Sequence, residues 1–404
     1  MRIAFLTREY PPDTAWGGVA TVYHNLARVL SEQGHEIHVI CQAVGKPKDY
    51  IEQGVFVHRV GINPKQNSAI ARTNYSLHAW RKLKKLIETR GIEIVGASFT
   101  GAEGFFCSLF SGLPLVVSAH TTAQGLLQTK TYSGTKSFLS LKLLSVLEHF
   151  TAKRASKVVA NSQAMYSRLT SEVHIAADKI DIVHHAIDTI KFNFVASDIR
   201  QRVGIPDGAP VALSIGRLEA RKSPHILCQV IPRIIESKPD AKFVFLGRDT
   251  NTAPGGGSFK QYIIHKAQGG GFLSNLVFID FLPEDELVQL YSACDVFVSA
   301  SLQESFGLTP IEAMACGKPV VATPVGIVPE LQPYGLKGLS VTPVGDDQRL
   351  AEAVLNFLAL GDNDRNQIAK ENRQLIEDKF CLAGWADKMS HVYGRAMRMR
   401  RNHG

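Results

Sequence analysis

In the first half of the chain, short apolar runs alternate with longer stretches in which apolar residues recur at helical spacing. The run RIAFLT at 2–7 precedes such a stretch, GVATVYHNLARVLSEQG, and EIHVICQ follows it. Gly34 is expected to end the intervening helix. An unbroken apolar run is typical of a strand buried on both faces of a parallel sheet, and strands alternating with helices indicate βαβ units. Further strands are predicted at 55–60, 92–97, 114–119, 157–161 and 180–184.

This alternation stops near residues 186–210, a polar stretch with two prolines, and then resumes. The second series of predicted strands lies at 211–217, 242–247, 276–281, 295–301 and 318–323. A chain of 404 residues is too long for one ordinary hydrophobic core. We therefore predict an α/β protein of two Rossmann-like, doubly wound parallel-sheet domains, residues 1–190 and 191–380. Because open α/β sheets bind ligands at the carboxyl ends of their strands, the cleft across which two such domains face each other is the expected site.

The composition is that of an ordinary globular protein, with 45% apolar and 20% charged residues. No run approaches the ~18 apolar residues that a membrane helix needs. The first apolar run is too short for a signal peptide, and charge and two prolines follow it. The six cysteines form no CxxC pair, which favours reduced thiols of a cytoplasmic protein over a disulfide framework or a zinc site.

The positive charge is concentrated in the first half of the chain. Residues 1–190 carry 21 − 14 = +7 and residues 191–404 carry 24 − 23 = +1, within a total of +8. This asymmetry suggests that the first half faces phosphate-bearing ligands or an anionic membrane surface. Nucleic acid is not expected as a partner, because no zinc finger, RNP-type strand or helix-turn-helix pattern accompanies the charge.

Two glutamates flank a turn in the segment ESFGLTPIEAMACGKPVVAT at 304–323. Thr309 and Glu312 have the spacing of a capping box, which by itself explains Glu312 as a helix-start residue. That interpretation leaves Glu304 unexplained, because a charge just past a buried strand is costly unless it has a partner. The free amides at the start of the helix, together with the helix dipole, favour an anion there.

The second half of the chain resembles the retaining glycosyltransferases of the large GT-B family, of the family 4 (glycosyl transferases group 1) type. The segments that carry the resemblance are SIGRLEARKS (214–223), FLGR (245–248) and DVFVSASLQESFGLTPIEAMACGKPVVAT (295–323). The N-terminal segment YPPDTAWGGVATVYHNLARVLSEQGHEIHVI is similar to that family's Gly-rich loop and first helix. The resemblance also implies that a C-terminal helix, 381–404, crosses back to join the first domain.

The resemblance implies metal-independent, retaining transfer of a hexose from a nucleotide diphosphate sugar, with UDP-glucose or a related UDP-sugar as the expected donor. The expected acceptor is a saccharide or a lipid-linked saccharide in polysaccharide biosynthesis. The residue matching Glu312 binds the ribose hydroxyls, and the one matching Glu304 faces the donor sugar. The implied catalytic residues are Glu304, His120, Arg217 and Lys222. The implied donor-binding residues are Gly17, Gly18, Arg217, Lys222, Leu282, Glu304, Phe306, Gly307, Leu308, Thr309 and Glu312.

Arg217 and Lys222 follow the first strand of the second half. Two cations at a strand end can stabilise a diphosphate leaving group without a metal. The alternative is a pair of solvated loop cations, and Arg221 is a nearby competitor. Neither a metal nor another cofactor is expected: the DxD in GDND at 361–364 lies between helix-like stretches, where Asp362 or Asp364 is better explained as a helix N-cap.

Two basic segments of the first half raise the question of a membrane surface. Residues 129–157 are basic and apolar with Glu148 as their one acid, and RKLKKL at 81–86 adds four cations. Either these are core-packed helices with solvated basic faces, or they form a patch that docks on anionic lipid. The expected location is cytoplasmic, with a peripheral position at the inner face of the membrane as the sharper alternative.

Two other functions remain open from the sequence. One is a GT-B nucleotide-sugar epimerase, which needs no acceptor. The other is a nucleotide-sugar-binding protein without turnover, against which the intact set of Glu304, Glu312, Arg217 and Lys222 argues.

Overall fold

A computed structural model of the chain describes residues 1–14, 17–61, 68–128 and 134–401. The chain divides into two compact units, Met1–Ala186 with Leu382–Gly404, and Ile187–Cys381. Parts of three predicted segments lie outside the described residues: 15–16 of the Gly-rich loop, 129–133 of the basic segment and 402–404 of the tail.

The first unit is built on one eight-stranded sheet in the order β3-β4-β2-β1-β5-β6-β7-β8. Its strands are β1 (Arg2–Leu6), β2 (Glu36–Gln42), β3 (Lys48–Glu52), β4 (Val55–Val60), β5 (Ile94–Ser98), β6 (Leu115–Ala119), β7 (Lys157–Ala160) and β8 (Ile180–Ile182). Its first helices are α1 (Gly18–Glu32), α2 (Ala69–Arg90), α3 (Phe105–Phe110), α4 (Ala123–Gln128), α5 (Gly134–Arg154) and α6 (Gln163–Ser171). All neighbouring strands are parallel except β3 and β4, which pair antiparallel.

The second unit contains a six-stranded, fully parallel sheet in the order β11-β10-β9-β12-β13-β14. Its strands are β9 (Val211–Ile215), β10 (Lys242–Leu246), β11 (Leu276–Ile279), β12 (Val296–Ser299), β13 (Val320–Ala322) and β14 (Leu339–Val341). Its helices are α7 (Ile199–Arg202), α8 (Pro224–Ser237), α9 (Phe259–Gly269), α10 (Glu284–Ala293), α11 (Leu308–Ala315), α12 (Val328–Leu331), α13 (Asp347–Leu358) and α14 (Asp362–Phe380). The last helix, α15 (Leu382–Arg401), belongs to the first unit and contacts α1.

Both sheets have the strand order of a doubly wound fold, which reverses direction at one point. In the first unit the reversal lies between β1 and β5, and in the second between β9 and β12. The prediction of two Rossmann-like parallel sheets is confirmed. Ligands of such sheets bind outside the carboxyl ends of the strands at this switch point, so the loops after β9 and β12 are the first place to look for a site.

The central strands form because they are nearly continuous apolar runs, as in β1, where Ile3 to Leu6 are all buried. Helix α1 ends at Glu32, and Gly34 follows in the left-handed region at φ +84°, as the sequence predicts. Strands β3 and β14 were not predicted from the sequence. Both lack the apolar run that identifies a buried strand: β3 is a largely exposed edge strand, and β14 has only three half-buried residues.

The six cysteines are all free, as predicted, and five of them are buried. Within the described part of the chain, no helix combines the length and the apolar character needed to cross a membrane.

Candidate active site

The switch point of the second sheet brings two loops together. Residues 216–222 follow β9 and residues 300–304 follow β12, and these strands are neighbours in the sheet. The amide of Leu302 donates a hydrogen bond of 2.9 Å to the carbonyl oxygen of Arg221, which ties one loop to the other. A cavity beside this junction is lined by Ser214, Gly216, Arg217, Lys222, Ser299 and Ser301, among others.

Glu304 is the centre of this junction. Its Oε1 accepts a short hydrogen bond from Lys222 Nζ and one of 3.0 Å from Ser301 Oγ. Its Oε2 accepts one of 3.0 Å from an Arg221 Nη. The carboxylate is largely buried, with 11% of its side chain exposed. Its charge, which the sequence left without a partner, is therefore compensated by two cations from the loop after β9.

These contacts decide the ionisation state of Glu304. Burial alone raises the pKa of a carboxyl group, but the charges of Lys222 and Arg221 and the hydrogen bonds from Lys222 and Ser301 outweigh it. The pKa of Glu304 is consequently held below its usual value. Glu304 is an anion at neutral pH, fixed at the carboxyl edge of the sheet.

Two glycines give this junction its close packing. Gly216 and Gly247 both have φ +150°. A Cβ on Gly247 would lie 2.1 Å from the carbonyl oxygen of Gly216, and a Cβ on Gly216 would lie 3.1 Å from Cε of Lys222. Side chains at these positions would push the loop after β9 away from Glu304.

Glu312 is not part of a capping box, and this prediction was wrong. Helix α11 begins after Gly307, which is its N-cap at φ +90°, so that Thr309 lies inside the helix. Glu312 Oε2 instead accepts a hydrogen bond of 2.7 Å from Tyr291 Oη on α10. Burial raises the pKa of Glu312 to about 7, although the Tyr291 hydrogen bond opposes the rise. Helix capping therefore does not account for this carboxylate.

The amides predicted to face the donor lie at the start of α11. Phe306 is buried and its carbonyl oxygen accepts a 2.7 Å hydrogen bond from the amide of Ile327. Gly307, Leu308 and Thr309 form the N-cap and the first helical positions. The positive end of the helix dipole lies there, which favours an anion. A Cβ on Gly326 would lie only 2.1 Å from the Phe306 carbonyl oxygen, so this glycine permits the contact.

The structure distinguishes the two arginines of this loop. Arg217 is 62% exposed, and its guanidinium lies 3.2 Å from a carboxylate oxygen of Glu219. Arg221 is 24% exposed and contacts both Glu219, at 2.8 Å, and Glu304. Arg217 is the stronger candidate from the sequence and Arg221 the weaker one, but Arg221 is the arginine that the fold brings to Glu304. Sequence alone offered no signal for this choice.

The other predicted positions of the second unit lie away from Glu304 in the chain, after β11 and at the start of α14. Leu282 follows β11, is half-buried and packs against the apolar core. Asp362 and Asp364 lie in the first turn of α14, and the N-cap is Gly361, so neither aspartate is the cap that the sequence predicted. Among the described residues, no group of three or more His, Cys, Asp or Glu side chains could hold a metal ion.

The remaining predicted residues belong to the first unit. Gly17 is the N-cap of α1, in an extended conformation that any residue can adopt, and Gly18 is the first helical residue. His120 is buried at the end of β6, and burial lowers its pKa to about 4. Its Nδ1 lies 3.2 Å from Nε2 of His185. His185, and Tyr291 and Ser301 in the second unit, were not predicted from the sequence. Each is recognised only by its contact with another site residue, His120, Glu312 and Glu304 respectively.

Comparisons with known proteins agree with this architecture. The family model described as Glycosyltransferase Family 4 matches residues 16–191, and that described as Glycosyl transferases group 1 matches residues 195–375. An uncharacterized glycosyltransferase of Methanocaldococcus jannaschii is 26% identical over 412 residues, which cover 99% of this chain and 99% of that protein.

Solved structures show the same fold. A sucrose-phosphate synthase from Thermosynechococcus elongatus aligns with a TM-score of 0.79 at 19% identity, over 99% of this chain and 100% of that one. Anabaena HepE in complex with UDP-glucose aligns with a TM-score of 0.75 at 21% identity, over 97% and 99% of the two chains. Because the two family models match the two halves of the chain in turn, this protein belongs to the glycosyltransferases of the family 4, group 1 type and has their GT-B fold.

Proposed function

We propose that this protein is a retaining glycosyltransferase that moves a hexose from a nucleotide diphosphate sugar to a saccharide or lipid-linked acceptor in polysaccharide biosynthesis. One observation carries the proposal. Glu304 is held ionised by Lys222 and Arg221 at the switch point of the second sheet, where ligands of this fold bind.

The charges around Glu304 suit the departure of a diphosphate from a sugar. The sugar gains positive character as the leaving group departs, and an ionised carboxylate stabilises it. The diphosphate gains negative charge, which Lys222 and Arg217 are proposed to stabilise from the loop after β9. Each charge-assisted hydrogen bond contributes ~1.5–3 kcal/mol. With cations in this role, the proposed transfer needs no metal ion.

Glu312 and the start of α11 are proposed to hold the nucleoside. An ionised carboxylate accepts two hydrogen bonds from a vicinal diol, so Glu312 suits the ribose hydroxyls. Leu282, Phe306, Gly307, Leu308 and Thr309 are proposed to contact the donor through their backbone. The predictions that Gly17, Gly18 and His120 of the first unit also contact the donor stay predictions.

UDP-glucose is the first donor to test, because the structural neighbour HepE was solved in complex with it. The experiment is to incubate the protein with UDP-, GDP- and ADP-sugars, with and without oligosaccharide acceptors, and to follow released nucleotide, free sugar and product. Retention predicts that an α-linked donor gives an α-linked product by NMR. A β-linked product would contradict the retaining mechanism.

Incubation with the nucleotide sugar alone, without an acceptor, distinguishes the transferase from an epimerase and from a binding protein. An epimerase converts the donor sugar without any acceptor, and a binding protein shifts the unfolding midpoint without releasing nucleotide. Saturating ligand at 100 times its dissociation constant adds about 2.7 kcal/mol of stability, which a thermal shift detects. Acceptor-dependent release of nucleotide is the expected result. Acceptor-independent formation of an epimer would replace the proposal by the epimerase.

We also propose a cytoplasmic location in contact with an anionic membrane surface, on the basis of helix α5. Leu139, Leu143, Val146 and Phe150 are 59%, 49%, 65% and 39% exposed and recur at helical spacing, so they form one apolar stripe. Exposed cations lie on the same helix, at Lys136, Lys142, Lys153 and Arg154. Glu148, the one acid of this helix, is buried. Apolar stripes flanked by cations suit the interface of an anionic bilayer.

Co-sedimentation with vesicles tests this surface. Binding to vesicles containing phosphatidylglycerol should exceed binding to pure phosphatidylcholine and should weaken at high salt. The double substitution Leu143→Gln with Val146→Gln should reduce binding. Ile190→Gln, at a 91% exposed position of the second unit, is the matched control and should not. Equal binding to both kinds of vesicle would remove the proposed surface.

A further inference from the structure

Three buried polar side chains lie in a row at the carboxyl edge of the first sheet. Asn161 follows β7, His185 follows β8 and His120 follows β6. Asn161 Nδ2 lies 3.2 Å from His185 Nε2, and the same His185 Nε2 lies 3.2 Å from His120 Nδ1. Their exposed fractions are 2%, 7% and 5%. The two imidazole rings stack at 15°, with centroids 5.0 Å apart.

The orientation of the Asn161 amide sets the arrangement of protons along this row. The structure turns the amide nitrogen of Asn161 toward His185, and in this orientation His185 Nε2 accepts the hydrogen bond with its lone pair. His120 Nδ1 lies 3.2 Å from the same nitrogen, and with a lone pair there it is the protonated His120 Nδ1 that donates, sharing this lone pair with Asn161. A neutral imidazole has one N–H, so His120 Nε2 is left with a lone pair. Within the described residues, Nε2 of His120 is buried and has no hydrogen-bond partner.

We propose that His185 is a positioning residue which, with Asn161, fixes His120 as the Nδ1–H tautomer. Its Nε2 can then only accept a hydrogen bond. This inference rests on the proposed function, in which His120 contacts the donor sugar. The group that contacts Nε2 must therefore be a hydrogen-bond donor, such as a sugar hydroxyl. A hexose should be preferred over a uronic acid, because the carboxylate of a uronic acid would face the lone pair of Nε2 and repel it.

The surroundings keep the row rigid and neutral. Trp385 of α15 packs edge-on against His185, with ring centroids 6.0 Å apart, and Tyr23 of α1 packs edge-on against His120 at 5.7 Å. Burial lowers the pKa of both imidazoles, that of His120 to about 4. Both rings are therefore neutral near pH 7, and the hydrogen bonds that set the tautomer persist there.

The test is ¹⁵N NMR of the full chain labelled at histidine, which reports protonation of each ring nitrogen. His120→Gln assigns the His120 signals by their loss. The expected result between pH 6 and 8 is a protonated Nδ1 and an unprotonated Nε2 on His120. A protonated Nε2, or an equal mixture, would mean that Asn161 does not donate to His185 and would overturn the inference. This readout needs no active enzyme, so it stands apart from failure of the proposed function.

A variant series adds the kinetic test. His185→Phe keeps a ring against Trp385 but removes the acceptor for His120 Nδ1, and Asn161→Leu is a second variant should the first not fold. Either should give a mixed tautomer and lower kcat/KM for UDP-glucose about 5- to 10-fold, the loss of one neutral hydrogen bond. UDP affinity should stay within about twofold, because that loss leaves the second unit untouched.

The last measurement is the selectivity for UDP-glucose over UDP-glucuronic acid. The ratio of rates with UDP-glucose and UDP-glucuronic acid should fall by a similar factor in His185→Phe. His391→Gln, at an exposed position of α15, is the matched control and should leave both rate and ratio unchanged. Unaltered rate, ratio and tautomer in a folded His185→Phe would refute a positioning role. Wild-type turnover in His120→Gln would overturn the part that concerns the donor hydroxyl.

Discussion

Each unit has a carboxylate at the switch point of its sheet, but the two carboxylates are in opposite electrostatic states. Glu103 follows β5 in the first unit and is 4% exposed. Burial raises its pKa to about 8, against the attraction of Arg72 and Arg8. Glu304 follows β12 in the second unit, and there Lys222 and Arg221 outweigh burial and hold the pKa below its usual value.

The hydrogen bonds to the two carboxylates also differ. Glu103 Oε2 accepts a 3.1 Å hydrogen bond from the backbone amide of Arg8, which joins the loop after β1 to the loop after β5. Glu304 accepts hydrogen bonds from two side-chain cations and a hydroxyl. The topology therefore places an acid at both switch points. The charges and side-chain hydrogen bonds around Glu304 outweigh its burial, whereas the charges of Arg72 and Arg8 do not outweigh the burial of Glu103.

Replacing each of the two carboxylates by its amide should give the largest difference between the two units. Glu304→Gln removes the negative charge that faces the proposed sugar, so kcat should fall about 10²- to 10³-fold with UDP affinity little changed. Glu103→Gln should leave kcat within about threefold at pH 7, because Glu103 is already mostly protonated below a pKa of about 8. Turnover and UDP affinity are measured for both.

Circular dichroism on both variants is the control for folding. Equal losses of turnover in two folded variants would mean that the electrostatic contrast has no functional meaning. Wild-type turnover in Glu304→Gln would remove Glu304 from the reaction altogether.

Glu312→Gln sharpens the contrast within the second unit. It should weaken UDP binding about 10- to 150-fold, because one charge-assisted hydrogen bond to the ribose diol is lost. Stability should not fall, since the helix cap is Gly307 and not Glu312, and the amide oxygen of a glutamine can still accept the hydrogen bond from Tyr291. Because the pKa of Glu312 is about 7, UDP affinity of the wild type should rise between pH 6 and 8 as the carboxyl ionises.

Tyr291→Phe is the companion variant for Glu312. The Tyr291 hydrogen bond lowers the pKa of Glu312, so its loss should move the rise in UDP affinity to higher pH. Isothermal titration calorimetry of UDP at several pH values measures this. A flat pH profile in both proteins would contradict ribose binding by an ionised Glu312.

The two switch-point carboxylates should also give stability opposite dependences on pH. The unfolded chain releases the Glu103 proton near the ordinary value of 4.5, while the folded protein holds it to about pH 8. Glu103 therefore contributes stability at low pH that is lost as pH rises through this range, at up to ~1.4 kcal/mol per pH unit. Glu304, whose folded pKa is lowered, contributes stability above its unfolded pKa that is lost as pH falls through the folded pKa.

Glu103→Gln tests the first half of this statement. Between pH 6 and 8.5 it should gain about 2–3 kcal/mol relative to wild type, or several degrees in unfolding midpoint. Unfolding in urea across this range is the measurement. Parallel pH profiles for variant and wild type would show that Glu103 does not keep its proton in the folded state.

The smallest expected effect concerns metal ions. Because Lys222 and Arg217 are proposed to supply the positive charge at the second switch point, EDTA should change the transfer rate by less than about twofold, well below the effect of losing a charge-stabilising group. Lys222→Met should cost far more than chelation. An absolute requirement for Mg²⁺ or Mn²⁺ would contradict this division of roles.

The sequence by itself determined the order of strands and helices, the two parallel sheets and the segment that carries Glu304 and Glu312. Apolar runs, helical spacing and the glycines that end helices depend only on residues close together in the chain, so they can be recognised in the sequence alone. Strands β3 and β14 were not predicted, because an exposed edge strand and a three-residue strand contain too few apolar residues to be recognised. The resemblance carried by residues 214–223 and 295–323 supplied the family, which the comparisons then confirmed.

Only the tertiary structure decided which groups contact the carboxylates. Arg217 and Arg221 lie in the same loop, but the hydrogen bond from the amide of Leu302 to the Arg221 carbonyl draws Arg221 beside Glu304. The helix start at Gly307 turned Glu312 toward Tyr291, against the capping box that the spacing predicted. Ionisation states depend on burial and on charges from distant segments, and these distances are set by packing rather than by spacing along the chain.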